Sequence, residues 1–134
     1  MYSLVLLCSY TGFSLDIHVH QFPPALLGRE GQSVQLVCSH EHGDLRVMLW
    51  YRRRSAEVAL ELVGYGYVEF KDDSVEEAFR QKGFSLAGDL SGNNAKNGSL
   101  FIRSLKAAEH EATYFCAARS SAEISRSLSS NMKL

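Results

Sequence analysis

Five histidines, three cysteines and a run of three arginines are the residues of this chain whose types and spacing could do chemistry. His18-x-His20 and His40-x-His42 each put two imidazoles on one face of an extended segment, as a zinc site would. Zinc needs three or four ligands, and no CxxC or HExxH accompanies either pair, so both read as solvated strand and loop histidines. Arg52-Arg53-Arg54 could meet a phosphate, but Glu57 and Glu61 follow closely and the run reads as a charged turn. Gly28-Arg29-Glu30-Gly31 and Gly64-Tyr65-Gly66-Tyr67 lack the strand-to-helix setting of a phosphate loop. No Ser, His and Asp set is marked as a nucleophile site. The expectation is a protein without catalytic residues, cofactor or metal. A net charge of −1, with 22% charged residues, gives no field for nucleic acid.

The cysteines carry more. Cys8 lies in MYSLVLLCSYTGFSL, an apolar run ending near Gly12 and Ser14, which reads as a signal peptide over residues 1–15. The alternative is an N-terminal core strand. If the leader is removed, Cys38 and Cys116 remain as a matched pair in an oxidising compartment. A bridge across their 78-residue separation stabilises the fold by roughly 2–5 kcal/mol. Asn97-Gly98-Ser99 is a glycosylation acceptor, in keeping with secretion. No stretch reaches the roughly 18–20 apolar residues of a membrane span.

Strands must position these residues. Ala112, Tyr114 and Cys116 share one strand face, with Thr113, Phe115 and Ala117 on the other. A Tyr two residues before a Cys, just past a turn, is the mark of a tyrosine corner. Earlier in the chain, Asp16 to Gln21 alternates and stops at Pro23-Pro24. Ser33 to Cys38 turns Val34, Leu36 and Cys38 to one side, and Arg46 to Tyr51 carries Trp50 twelve residues past Cys38. That spacing lets the indole pack on the disulfide from the facing sheet. Val58 to Val63 reads as a strand, Gly64 to Tyr67 as a turn and Val68 to Lys71 as a short edge strand. Ser74-Val75-Glu76-Glu77 has capping-box form and predicts one helical turn. Gly83 to Leu86 resumes strand, Gly88 to Gly98 is turn-rich, and Ser99 to Ile102 points Leu100 and Ile102 inward, with Leu105 closing the core. Short strands with Cys, Trp, Tyr and Cys in that order predict an all-β, immunoglobulin-like, two-sheet Greek-key sandwich over residues 16–119. Residues 120–134 are Ser-rich and without period, and read as an irregular tail.

Cys38, Trp50-Tyr51-Arg52, Gly64-Tyr65, Asn97-Gly98-Ser99-Leu100 and Ala112-Thr113-Tyr114-Phe115-Cys116-Ala117 together resemble the V-set immunoglobulin domains. Within them the chain looks most like a T-cell receptor beta variable region. The resemblance implies antigen recognition, of the peptide–MHC kind, by three loops at one end of the sandwich. Residues Ser39 to Leu45, Gly64 to Phe70 and Ala118 onward would form them, with His40, His42, Asp44, Tyr65, Tyr67 and Arg119 touching ligand. Tyr suits that task because it offers a large contact area at low entropy cost. The resemblance also implies pairing with a second, alpha-like variable domain through an outward sheet face bearing Leu49, Tyr51, Arg53, Phe115 and Leu60 or Leu62. A receptor on the extracellular side of the plasma membrane follows. An innate V-set receptor or adhesion module is the other reading.

Three departures from the family pattern stand out. Arg53 occupies the place of the Gln that usually meets the partner domain. Gly83 and His110 stand where an Arg–Asp salt bridge usually lies below the core. No Phe-Gly-x-Gly follows Arg119, so the last strand of the domain is expected to be missing, leaving the strand of Phe115 with a bare edge.

Overall fold

Alternation of apolar and polar residues sets the strands, and the two sheets follow from it. The computed structural model describes residues 3–9 as backbone and residues 19–55, 59–93 and 95–120 in full. In chain order these form β1 (Ser3–Ser9), β2 (His20–Phe22), β3 (Ala25–Arg29), β4 (Val34–His40), β5 (Val47–Arg53) and β6 (Glu61–Tyr67). A one-turn helix, α1 (Glu77–Arg80), precedes β7 (Phe84–Asp89) and β8 (Lys96–Ile102), and a second, α2 (Ala107–His110), leads into β9 (Ala112–Arg119). One sheet runs β3-β1-β9-β5-β6 and the other β2-β4-β8-β7. Pro23 and Pro24 offer no amide hydrogen to a ladder, and at that point the chain leaves the second sheet as β2 and enters the first as β3.

The core lies between the sheets. Leu36 and Cys38 of β4, Leu100 and Ile102 of β8, and Tyr114 and Cys116 of β9 are all fully enclosed, together with Met48 and Trp50. Cys38 and Cys116 are bridged across the two sheets with Cα atoms 6.3 Å apart, within the usual disulfide span. Trp50 stands directly across from Cys116 in the β5–β9 register, in the same core cluster as both cysteines. Leu105 is buried beneath them.

Several elements differ from the sequence expectation. The strand expected from Asp16 to Gln21 begins at His20, as β2, and residues 16–18 lie outside the described set. Gly64 to Tyr67 is not a turn but the second half of β6. A β-bulge between Trp50 and Tyr51 lets Trp50 face Gly64 while Tyr51 faces Leu62, so Val63 and Gly64 both point inward. Gly64 is needed there: a Cβ would come within 2.9 Å of the Val75 Cα, on the segment that bridges to it. Val68 to Lys71 is no strand, because Val68 turns the chain with φ of 68°. Ser74 does not cap the helix; its hydroxyl accepts from the Lys71 amide at 2.7 Å, and Glu76 holds the N-cap position of α1.

The edge of β9 is also covered where a bare edge was expected. β1 runs parallel to it, with Leu6 opposite Ala112 and Ser9 opposite Phe115, and pairs antiparallel with β3 on its other side. Ser3–Ser9 is therefore a strand of the first sheet. Apart from Ser120, the C-terminal tail expected over 120–134 lies outside the described residues.

Candidate functional site

Four segments meet at one end of the sandwich, and backbone hydrogen bonds fix how. The Val68 amide donates to the Arg46 carbonyl at 2.8 Å, and the Leu90 amide donates to the Val68 carbonyl at 2.8 Å. The Arg46 guanidinium reaches the Asn93 side chain at 3.1 Å. The loop after β4, the turn after β6 and the β7–β8 connection are thus tied around one residue. The C-terminal end of β9 arrives beside them, with Arg119 across from Val47.

Val68 itself is strained. The Glu69 amide donates back to the Tyr67 carbonyl at 2.7 Å, closing a three-residue turn of the rare positive-φ kind. A β-branched side chain at positive φ is an outlier, and such strain gathers where chains are shaped for binding. The turn lifts Tyr67 out of the sheet end, 56% exposed.

The residues expected to touch ligand divide into two groups. His42, Asp44 and Tyr67 are exposed at this end, and Arg119 is half-buried beside them. His40 and Tyr65 lie elsewhere. His40 is inside β4, 2% exposed, with its Nδ1 accepting from the His42 amide at 3.2 Å. Its inward turn follows from the strand's parity, which continues from Leu36 and Cys38. Burial, then the nearby charges of Lys96 and His42, pushes its pKa from 6.5 down to about 4. Tyr65 sits on the outward face of β6 opposite Leu49. Arg46, Val68 and Asn93 were not singled out from the sequence; a polar Arg at a strand start carries no sign that it will span two loops.

The outward face of the first sheet does bring Leu49, Tyr51 and Phe115 together. Val47, Leu49, Tyr51 and Ala117 form a cluster flanked by Leu62, Tyr65 and Phe115. Leu62 rather than Leu60 joins it, because β6 begins only at Glu61, and the bulge then brings Tyr65 to the same face as Leu62. Leu60 stays outside the strand, 43% exposed. An open apolar patch was expected here, but Leu49 is fully buried and Tyr51 nearly so within the single chain. Arg53 lies over the Phe115 ring at 5.6 Å, a cation–π contact that holds it at the rim of the face.

At the opposite end, the tyrosine corner is formed: the Tyr114 hydroxyl donates to the His110 carbonyl at 2.6 Å. Burial pushes the Tyr114 pKa up to about 12. Arg52, enclosed beneath it, pairs with Glu61 at 3.0 Å and donates to the Glu109 carbonyl at 2.5 Å. Its guanidinium carbon lies 4.7 Å from the Phe79 ring centre and 5.6 Å from that of Phe84. Asn97, the glycosylation acceptor, is exposed on β8.

Comparison with known proteins agrees with this frame. The model of the immunoglobulin V-set domain matches residues 21–134. The chain belongs to the V-set immunoglobulin family. A solved chain from a structure described as "Structural basis of T cell specificity and activation by the bacterial superantigen toxic shock syndrome toxin-1" superposes with a TM-score of 0.58. It is 20% identical, over 78% of this chain and 82% of that one. No curated protein sequence matches the chain. V-set domains are binding modules that act on protein ligands outside or on the surface of cells. Among the described residues, no helix is long and apolar enough to cross a membrane.

Proposed function

We propose that this chain is the antigen-recognition variable domain of a T-cell receptor beta-like chain. It would be secreted through a leader over residues 1–15, carry a glycan on Asn97, and act on the extracellular side of the plasma membrane. It engages peptide–MHC type ligands through the end where Val68 ties the loops together, with His42, Asp44, Tyr67 and Arg119 in contact. The observation that carries this reading is the strained Tyr67–Val68–Glu69 turn, anchored to both neighbouring loops. It presents an aromatic residue whose backbone is held in place before any ligand arrives, and preorganisation of that kind lowers the entropy cost of binding. An alpha-like variable domain pairs through the face of Leu62, Tyr65, Phe115 and Arg53, backed by the buried Leu49 and Tyr51.

A second reading, an innate V-set receptor or adhesion module, draws on that same burial. With Leu49 and Tyr51 already enclosed within the single chain, neither leaves much apolar surface for a partner domain to cover. One experiment separates them. The chain is refolded alone and with a panel of alpha variable domains, and mass is read by light scattering after gel filtration. Heterodimers that bind peptide–MHC multimers, and lose them on Tyr67→Ala, support the antigen receptor. A chain that stays monomeric with every alpha domain overturns it.

A further inference from the structure

At the end of the sandwich away from the loops, the turn before β7 and the connection between β8 and β9 flank a shallow cavity of about 280 Å³ that is open to solvent. Lys82, Arg103 and Lys106 line it, against a single carboxylate, Glu109. None of the three cations is ion-paired among the described residues. Lys82 is held instead over the Phe79 ring at 5.4 Å, an attraction that leaves its positive charge uncompensated. Arg103 and Lys106 are exposed at the rim.

The walls of this cavity are fixed from below by His110. Its Nδ1 accepts from the Lys106 amide at 2.9 Å, so its Nε2–H donates to the Lys82 carbonyl at 2.7 Å. One neutral imidazole thereby spans the two segments that carry Lys82 and Lys106. Gly83 and Arg103 join the same segments by a second bridge, the Arg103 amide donating to the Gly83 carbonyl at 3.0 Å. The backbones that carry the three cations are thereby stapled to one another, so all three side chains start from one fixed surface. Gln81 and Ser104, both exposed at the rim, add neutral groups that hydrogen-bond hydroxyls.

We propose that this cavity binds a sulfated sugar, with the sulfate oxygens on Lys82, Arg103 and Lys106 and the ring hydroxyls on Gln81 and Ser104. Charge-assisted hydrogen bonds to an oxyanion are the strong ones, and the neutral rim favours a sulfated saccharide over a bare ion. The site lies opposite the loop end, so a glycan chain there leaves the loops free. It stands independently of the antigen reading.

The test is calorimetric titration of the folded chain with a heparin-derived tetrasaccharide, and separately with inorganic sulfate and phosphate. The tetrasaccharide is expected to bind, and Arg103→Glu and Lys106→Glu are each expected to weaken it about tenfold. Lys71→Glu, the same charge change at an exposed site on another turn, is the control and should leave affinity within about twofold. Both rim substitutions are at exposed positions, and an unchanged melting temperature confirms that they fold. Equal loss from Lys71→Glu would reduce the effect to net charge and overturn the site. Sulfate or phosphate binding as tightly as the tetrasaccharide would overturn the sugar assignment, and no binding of any probe would overturn the whole proposal.

Discussion

The carbonyl of His110 accepts the Tyr114 hydroxyl at 2.6 Å while its ring donates to the carbonyl of Lys82 at 2.7 Å. One residue therefore serves the tyrosine corner through its backbone and the turn before β7 through its side chain. Where the family usually has an Arg–Asp salt bridge, this chain has an imidazole-to-carbonyl bond from His110 to Lys82 that bypasses Gly83 altogether. Gly83 could not carry a long side chain without strain: its φ is +90°, and a Cβ would lie 2.9 Å from the Arg103 carbonyl oxygen.

His110→Asp is therefore expected to destabilise by about 2–4 kcal/mol, since it puts an unpaired carboxylate in a buried site facing the Lys82 carbonyl. Adding Gly83→Arg will not restore it, because Arg at that φ adds its own backbone strain. From the sequence alone the double change looks like a repair. Urea denaturation of wild type, single and double variants decides it, and recovery in the double variant would contradict the geometry described here.

Arg52 offers a second check on the same end. Arg52→Lys keeps the charge but loses the guanidinium over the Phe79 ring and the fork that reaches Glu61 and the Glu109 carbonyl together. A loss of about 1–3 kcal/mol is expected. Arg54→Lys, whose guanidinium bonds the Ala108 carbonyl at an exposed position, should cost under about 1 kcal/mol. Thermal melts of the two proteins side by side give the comparison, and equal costs would show that Arg52 is not the anchor.

The core of the fold was legible because it rests on periodicity and on residues with one physical solution. Cys38, Trp50, Leu100, Tyr114 and Cys116 could each be placed inward by strand parity, and each is buried. The errors came where parity breaks or a turn is made without turn residues. The bulge at Trp50/Tyr51 shifted the face of β6, which sent Tyr65 to the sheet surface. Val68 makes a tight turn that sequence would assign to Gly, whereas the glycines nearby serve close packing inside the strand. Loop residues such as Arg46 and Asn93 meet only because the sandwich brings the loop after β4 and the β7–β8 connection to one end.

His40 gives the molecule a pH dependence with a definite sign. Its folded pKa, about 4, lies below the 6.5 of an unperturbed histidine. Protons then bind the unfolded chain in preference between those values, so stability is full above pH 6.5 and falls as pH drops toward 4. Lys96, opposite it in the register, and His42 both disfavour its protonation. His40→Gln removes that titration and should flatten the wild-type loss by on the order of 1 kcal/mol. Denaturation midpoints of both proteins at neutral and mildly acid pH test it; parallel losses would assign the acid sensitivity to other groups.

The last prediction concerns β1. Ser3–Ser9 pairs with β9 from Ala112 to Phe115 and with β3 on the other side, yet the same residues read as the apolar part of a leader. If the leader is cleaved near Asp16, both ladders are lost together. β9 then presents unpaired amides and carbonyls along that stretch, and an exposed apolar edge is a template for pairing with another copy. The disulfide still holds β4 to β9, and its few kcal/mol is comparable to the whole margin of a small domain. A chain beginning at Asp16 is therefore expected to keep the fold but to melt several degrees lower and self-associate, unless another strand is supplied to β9. The comparison is between chains beginning at Met1 and at Asp16, refolded in parallel and followed by thermal melting and light scattering, with N-terminal sequencing of the protein secreted from cells. Secretion with a new N-terminus near residue 16, and a monomer of unchanged melting temperature, would show that β1 contributes nothing to the edge. A secreted protein that retains Ser3–Ser9 would instead make β1 a permanent strand and remove the leader from the reading.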